Sequence, residues 1–122
     1  MRKHSILVVE DDVDVREALA MFLECEGYHV VEAAHGAEAL ERLRGGGLFG
    51  LILLDLMMPV MNGWEFRDAQ AKDPALAAIP VVVITADHTA AKRAADVGAA
   101  GCLLKPVEFP ELLDYVGRYC AT

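Results

Sequence analysis

Short apolar runs alternate with helical patterns along the whole chain. A strand buried on both faces of a parallel sheet is typically a continuous run of Val, Ile and Leu. Four runs have this character, and a fifth, beginning at His29, is less apolar. The predicted strands are Ile6 to Val9, His29 to Glu32, Leu51 to Leu54, Val81 to Ile84 and Cys102 to Leu104.

Five helices are predicted between and after these runs. The first ends at Gly27, the second ends before Gly45, and the third runs from near Gly63 to about Lys72. The fourth, rich in alanine, spans His88 to Val97, and the fifth follows Pro110. Their predicted inward positions are Val15, Leu19, Phe22 and Leu23, then Ala37, Leu40 and Leu43, and in the fifth helix Leu112, Leu113 and Val116.

This alternation predicts a single α/β domain over residues 1–122. Strands that alternate with helices form a parallel sheet with right-handed crossovers and helices on both faces, a three-layer doubly wound (βα)5 fold. Periodicity alone leaves the strand order open. The second strand is the least apolar and suits an edge, and the order 2-1-3-4-5 places strands 1 and 3 side by side.

Polar side chains follow four of the five predicted strands. Glu10, Asp11 and Asp12 follow the first, Asp55 the third, Thr85 the fourth and Lys105 the fifth. Ligands of open α/β sheets bind just beyond the carboxyl ends of the strands. The order 2-1-3-4-5 would therefore bring the first acidic residues and Asp55 together in one crevice.

Such a cluster of carboxylates favours a hard divalent cation bound through oxygen, and Mg²⁺ is the obvious candidate. Since Mg²⁺ sites commonly include a phosphate, the cluster indicates phosphoryl transfer, with Lys105 and the Thr85 hydroxyl contacting the phosphoryl group. Simpler roles stay open from the residues alone. Asp55 could cap the next helix or bond its own turn, Lys105 could be a counter-ion, and Thr85 could cap the fourth helix.

Composition excludes several other classes of protein. The net charge of −8 disfavours nucleic-acid binding, and the apolar runs are too short for a membrane helix. The residues from Met1 to Ser5 lead directly into a strand without a signal-peptide cleavage site, so we expect a cytoplasmic protein. Three cysteines without Cys-x-x-Cys spacing indicate free thiols.

The polar motifs together resemble the receiver domain of two-component response regulators, a flavodoxin-like fold. They are Glu10-Asp11-Asp12, Asp55 with Met57-Met58-Pro59 and Asn62-Gly63, Thr85-Ala86, and Lys105-Pro106. The resemblance implies that Asp55 accepts a phosphoryl group from a sensor histidine kinase or a histidine phosphotransfer protein. It implies Mg²⁺ as cofactor, held by Glu10, Asp11, Asp55 and the backbone carbonyl of Met57, with Asp11 a direct ligand.

By the same resemblance, Lys105 contacts the phosphoryl group, Thr85 moves toward it as the switch, and the Lys105-Pro106 bond is cis. The domain would assist its own phosphorylation and dephosphorylation without being an enzyme, and would act on a downstream protein effector. The sequence departs from many receivers at Cys102, where they carry Phe or Tyr. This predicts that phosphorylation of Asp55 is only weakly coupled to the face formed by the fourth helix, the fifth strand and the fifth helix.

Two other classes were weighed against this one. A haloacid-dehalogenase-like hydrolase also forms an aspartyl phosphate, but it needs a second acid two residues after the nucleophile, where this chain has Met57. A flavin-binding electron carrier is opposed by the acidic loop at Glu10, which would repel the flavin phosphate. A phosphoacceptor signalling module is the preferred interpretation.

Overall fold

The computed structural model describes residues 4–56, 61–94 and 98–120, in which five strands alternate with five helices. In chain order they are β1 (Ser5–Val9), α1 (Val13–Cys25), β2 (His29–Ala33), α2 (Gly36–Arg44), β3 (Phe49–Asp55), α3 (Gly63–Lys72), β4 (Val81–Thr85), α4 (His88–Lys92), β5 (Gly101–Leu104) and α5 (Phe109–Tyr119).

The strands form one parallel sheet in the order β2-β1-β3-β4-β5, which confirms the predicted fold and strand order. The pairing register aligns the carboxyl ends of the strands. Val9 lies opposite Leu54, and Asp55 lies opposite Ile84. The polar residues that end or follow these strands are therefore collected along one edge of the sheet.

Side chains alternate between two hydrophobic cores, one on each face of the sheet. Residues such as Ile6, Val8, Leu51 and Leu53 pack beneath α1 and α5. Their neighbours in sequence, such as Leu7 and Ile52, pack beneath α2, α3 and α4. Since burial of one Leu or Ile side chain stabilises a fold by about 1.5–3 kcal/mol, this doubly covered sheet is the rigid base on which the polar loops stand.

The helices differ from prediction at three points, the first being that Ala39 is buried on α2 where Ala37 was expected. Helix α4 ends at Lys92 instead of Val97, because the Arg93 N–H bonds back to Ala90 O in a tighter turn. Val97 lies outside the described residues; within residues 88–94 the buried side chains are the alanines Ala90 and Ala94, so little apolar area there holds a helix against the sheet. In α5, Leu112 is buried as predicted but Leu113 is only half-buried.

Candidate functional site

Three carboxylates meet where β1 and β3 end side by side. Glu10 and Asp55 are buried, with 2% and 4% of their surfaces exposed, while Asp11 is exposed. One oxygen from each of the three lies within 4.8 Å of the other two. The structure therefore confirms that the order 2-1-3-4-5 brings these acids together.

This group has the chemistry of a site for a hard divalent cation. All its donors are carboxylate oxygens, which Mg²⁺ prefers, and the exposed Asp11 opens the group to solvent. Histidine or cysteine ligands, which would favour softer metals, are absent from this cluster. The residues present fit Mg²⁺, and the fourth predicted ligand, Met57, lies outside the described residues.

Lys105 is the positive charge of the site. Its Nζ lies 2.5 Å from Glu10 Oε1 and 3.5 Å from Asp55 Oδ2. Burial lowers the pKa of Lys105, but the hydrogen bond to Glu10 and the charges of Asp55 and Glu10 outweigh it, so the pKa lies above its ordinary value. The amine is thus charged at neutral pH and faces the two buried acids.

Thr85 ends β4 with its side chain buried beside the site. Its Oγ1 accepts a hydrogen bond from the Asp87 N–H at 3.1 Å. The cap of α4 is Asp87, whose carboxylate accepts from the N–H groups of Thr89 and Ala90 at 2.8 and 3.2 Å. The interpretation of Thr85 as the helix cap is therefore wrong, and its hydroxyl stabilises only the turn before the helix.

These side chains line one open pocket of about 330 Å³. It contains every predicted site residue that lies within the described part of the chain. Ala86 belongs to the Thr85-Ala86 motif, whereas the sequence did not single out Asp87, because a helix cap carries no signature of a site. The lining residues are Glu10, Asp11, Asp12, Asp55, Thr85, Ala86, Asp87 and Lys105.

The loop between β1 and α1 is held by its own acids and by one arginine. The Asp12 carboxylate caps α1, accepting from the N–H groups of Asp14 and Val15 at 2.9 and 3.1 Å. The Asp12 N–H donates to Glu10 Oε2 at 3.2 Å. Arg16 Nη1 donates to the backbone oxygen of Glu10 at 2.8 Å. Nothing in the sequence marks Arg16 for this role, because a contact to a backbone carbonyl requires no particular residue type at the accepting position.

The loop after Asp55 enters α3 through Asn62 and Gly63. Asn62 forms a capping box with Glu65, at 2.9 and 3.2 Å. The Gly63 N–H donates to Leu56 O at 3.0 Å. A Cβ on Gly63 would lie 2.7 Å from the Leu56 Cα and 2.9 Å from Asp55 O, so glycine permits this close approach to the backbone around Asp55.

The fifth strand and the bond that follows it include the expected cis peptide bond and the cysteine that differs from many receivers. The Lys105-Pro106 bond is cis, as the resemblance implies. Cys102 lies opposite Val83 in the sheet, half-buried against the core beneath α4, and burial raises the pKa of its thiol. A small thiol thus occupies the position where many receivers have an aromatic ring.

Residues 6–117 match the response regulator receiver domain family, and the chain belongs to this family. The transcriptional regulatory protein CrdR of Helicobacter pylori is 39% identical over 116 residues, which cover 93% of this chain and 54% of CrdR. The chain spans about half the length of such regulators, since it also covers 46% of a CpxR homolog of Haemophilus influenzae at 37% identity and 88% of this chain.

Solved structures lead to the same family. The chemotaxis protein CheY4 of Vibrio cholerae superposes with a TM-score of 0.87 at 31% identity, covering 97% of this chain and 99% of CheY4. The response regulator TrrA of Thermotoga maritima, solved in complex with Mg²⁺-BeF, gives a TM-score of 0.84 at 29% identity, covering 95% and 98% of the two chains.

The chain is therefore a receiver domain of two-component signalling. Such domains are signalling modules that pair with histidine kinases and act on downstream effectors. The hydrolase alternative is not favoured. Among the described residues, no helix is long and apolar enough to cross a membrane.

Proposed function

We propose that Asp55 is the phosphoacceptor of this receiver and that Glu10, Asp11, Asp55 and the backbone carbonyl of Met57 hold Mg²⁺ beside it. The observation that carries the proposal is the cluster of three carboxylates, beside which Lys105 is the one cationic side chain among the described residues that line the pocket. Lys105 Nζ lies 3.5 Å from Asp55 Oδ2, and a carboxylate oxygen of Asp55 is the nucleophile that would attack phosphorus.

The reaction transfers a phosphoryl group from a phosphohistidine to the Asp55 side chain. A carboxylate oxygen of Asp55 forms a bond to phosphorus while the nitrogen–phosphorus bond of the donor breaks, and the released imidazole nitrogen takes up a proton. Catalysis of such a step is mostly positioning and neutralisation of charge. When bound, Mg²⁺ supplies part of that neutralisation.

Lys105 and Thr85 supply the remaining contacts to the phosphoryl group. Lys105 already lies 3.5 Å from Asp55 Oδ2, so it can exchange a carboxylate contact for a phosphoryl oxygen with little movement. The Thr85 hydroxyl accepts from the Asp87 N–H and still has its own proton to donate to the same group, so a movement of Thr85 toward the phosphoryl group would be passed on to the turn before α4. With these groups the domain assists its own phosphorylation and dephosphorylation, and the altered turn changes its affinity for a downstream protein.

The donor would be a sensor histidine kinase or a histidine phosphotransfer protein. An apolar pocket of about 210 Å³ between α1 and the loop before α5 supports docking next to the site, since Lys105 lines both pockets. The apolar residues that line it are Val15, Ala18, Leu19, Pro106, Val107 and Phe109. A phosphohistidine carried by a docked helix could then reach Asp55 across Lys105.

Phosphate uptake from a small donor tests the proposed chemistry without a partner. Incubation with acetyl phosphate and Mg²⁺ should add one phosphoryl group to the intact mass, and EDTA should prevent it. Equal uptake in EDTA would contradict the assigned cation. Sustained turnover of p-nitrophenyl phosphate would support a hydrolase instead.

The docking surface is tested by two substitutions on α1, of which only one lies in the apolar pocket. Ala18→Glu places a charge in the apolar pocket and should slow transfer from a phosphorylated donor protein, while uptake from acetyl phosphate stays at the wild-type rate. Met21→Glu is the matched control, because Met21 is exposed on α1 and does not line this pocket. Equal rates from the protein donor in both variants would place docking elsewhere.

A further inference from the structure

Arg16 connects three parts of the molecule next to the acidic cluster. Its Nη1 donates to the backbone oxygen of Glu10 at 2.8 Å, and its Nε lies 3.3 Å from Glu32 Oε1 on β2. The Arg16 N–H also makes the first helical bond of α1, to Asp12 O at 2.9 Å. We propose that Arg16 is a positioning residue that holds the acidic loop in its cation-binding arrangement, an inference that rests on the proposed Mg²⁺ site.

The loop needs such a support because it presents three consecutive acids. The negative charges of Glu10, Asp11 and Asp12 repel one another. The Glu10 N–H donates to Ala33 O at 3.0 Å, and Arg16 binds the carbonyl of the same residue. The N–H and the carbonyl of Glu10 are therefore both hydrogen-bonded. The backbone that precedes Asp11 is fixed by these two bonds.

Arg16 is anchored well enough to do this. Its side chain is only 16% exposed, and the guanidinium reaches Glu10 and Glu32 through two different nitrogens. Because β2 pairs with β1, with Glu32 opposite Val8, the second contact ties the loop to the edge strand. The rigid fork of an arginine can span both partners, whereas a lysine offers a single amine.

Positioning and simple electrostatics predict opposite effects of removing Arg16. If only its charge mattered, its loss would leave the acidic site more negative, and Mg²⁺ would bind more tightly. If Arg16 holds the loop, its loss lets the acids relax apart, and Mg²⁺ binds more weakly. Residues that orient metal ligands commonly change affinity by about 10–100-fold, and the lower end applies here because Arg16 holds the backbone instead of a ligand side chain.

The test measures Mg²⁺ affinity by titration calorimetry in wild type, Arg16→Ala and Arg16→Lys. We expect the dissociation constant to rise about tenfold in Arg16→Ala and by less in Arg16→Lys, which keeps the charge without the fork. Arg42→Ala is the matched control, because Arg42 also contacts Glu32, through its carbonyl at 3.4 Å, but does not touch Glu10. Its affinity should equal that of wild type.

A second readout uses the metal-free protein. The amides of Asp11 and Asp12 should exchange hydrogen faster in Arg16→Ala than in wild type. In Arg42→Ala their exchange rates should equal those of wild type. Equal or tighter Mg²⁺ binding by Arg16→Ala, or the same loss in Arg42→Ala, would overturn the role of Arg16. Should Arg16→Ala not fold, Arg16→Lys decides by the same two readouts. Absence of Mg²⁺ binding by wild type would contradict the proposed function, and the exchange readout would still decide the role of Arg16.

Discussion

The Nζ of Lys105 lies 2.5 Å from Oε1 of Glu10, although their strands β5 and β1 are separated in the sheet by β3 and β4. The long side chain of Lys105 therefore crosses the carboxyl edge of the sheet above Asp55. Removing one partner of a buried ion pair typically costs about 3–5 kcal/mol, so Glu10 depends on this amine when no cation is bound. The same amine lies 3.5 Å from Asp55 Oδ2, where it would contact the phosphoryl group.

Replacement of that lysine should separate cation binding from phosphorylation. Lys105→Ala should still bind Mg²⁺, because the three carboxylates remain. It should take up phosphate from acetyl phosphate about 10–100-fold more slowly, since a charge-assisted contact contributes about 1.5–3 kcal/mol. Lys72→Ala, which removes an exposed amine paired with Asp68 on α3, is the control. Wild-type uptake, with an unaltered response of partner binding to phosphorylation, would reduce Lys105 to a local counter-ion.

The two exposed acids of the first loop should behave differently. Asp11→Ala should weaken Mg²⁺ binding, because Asp11 belongs to the carboxylate cluster. Asp12→Ala should leave more of the affinity but lower the free energy of unfolding by about 1 kcal/mol, since it removes the cap of α1. Fluorescence of Trp64 and thermal unfolding measure the two effects. Equal losses of affinity in both variants would show that the ligand assignment within the acidic loop is wrong.

Gly63 should be intolerant of a side chain although it begins a helix. In Gly63→Ala the new methyl group would press on the Leu56 Cα and on Asp55 O, so either the helix or the Asp55 backbone must shift. We expect lower stability and slower phosphate uptake. Gly117→Ala is the opposite control, because nothing lies within 4 Å of its Cβ position and alanine favours the interior of α5 by about 0.5–1 kcal/mol. Unchanged uptake in Gly63→Ala would show that the Asp55 backbone tolerates this displacement.

Phosphorylation of Asp55 should change the face formed by α4, β5 and α5 only weakly. Beryllofluoride, as a phosphoryl mimic, should slow hydrogen exchange mainly at residues 57–62 and 86–89, because half-buried Cys102 has no ring to exchange between buried and exposed positions. Cys102→Tyr should extend the protection through residues 90–104, as couplings of this kind contribute about 1–3 kcal/mol. Strong protection of residues 90–104 in wild type, equal to that in Cys102→Tyr, would contradict this inference.

The sheet and the acidic cluster could be predicted from the sequence for one physical reason. Apolar runs mark buried strands, and a polar residue directly after a run, such as Asp55 or Lys105, is placed at the sheet edge by the fold itself. The weaker apolar character of β2 indicates an edge strand, but it does not by itself fix the order of the other four strands. These predictions depend on which residues are apolar and which residue follows an apolar run, and both can be read directly from the sequence.

Contacts that cross between elements could not be predicted in this way. Arg16 binds a backbone carbonyl, which every residue offers, and its partner Glu32 is sixteen positions away. Both Thr85 and Asp87 precede α4, and only the three-dimensional turn decides that Asp87 caps it. The early end of α4 reflects the small area that alanines bury, which periodicity does not measure.

Intact mass after acetyl phosphate treatment, compared between wild type and Asp55→Asn, tests the central claim most directly. Asparagine keeps the shape of the side chain but cannot form the acyl phosphate at that oxygen. With Mg²⁺ present, wild type should gain the mass of one phosphoryl group, and Asp55→Asn should gain none. A phosphoryl adduct of equal yield in Asp55→Asn would contradict the assignment of Asp55 as the phosphoacceptor.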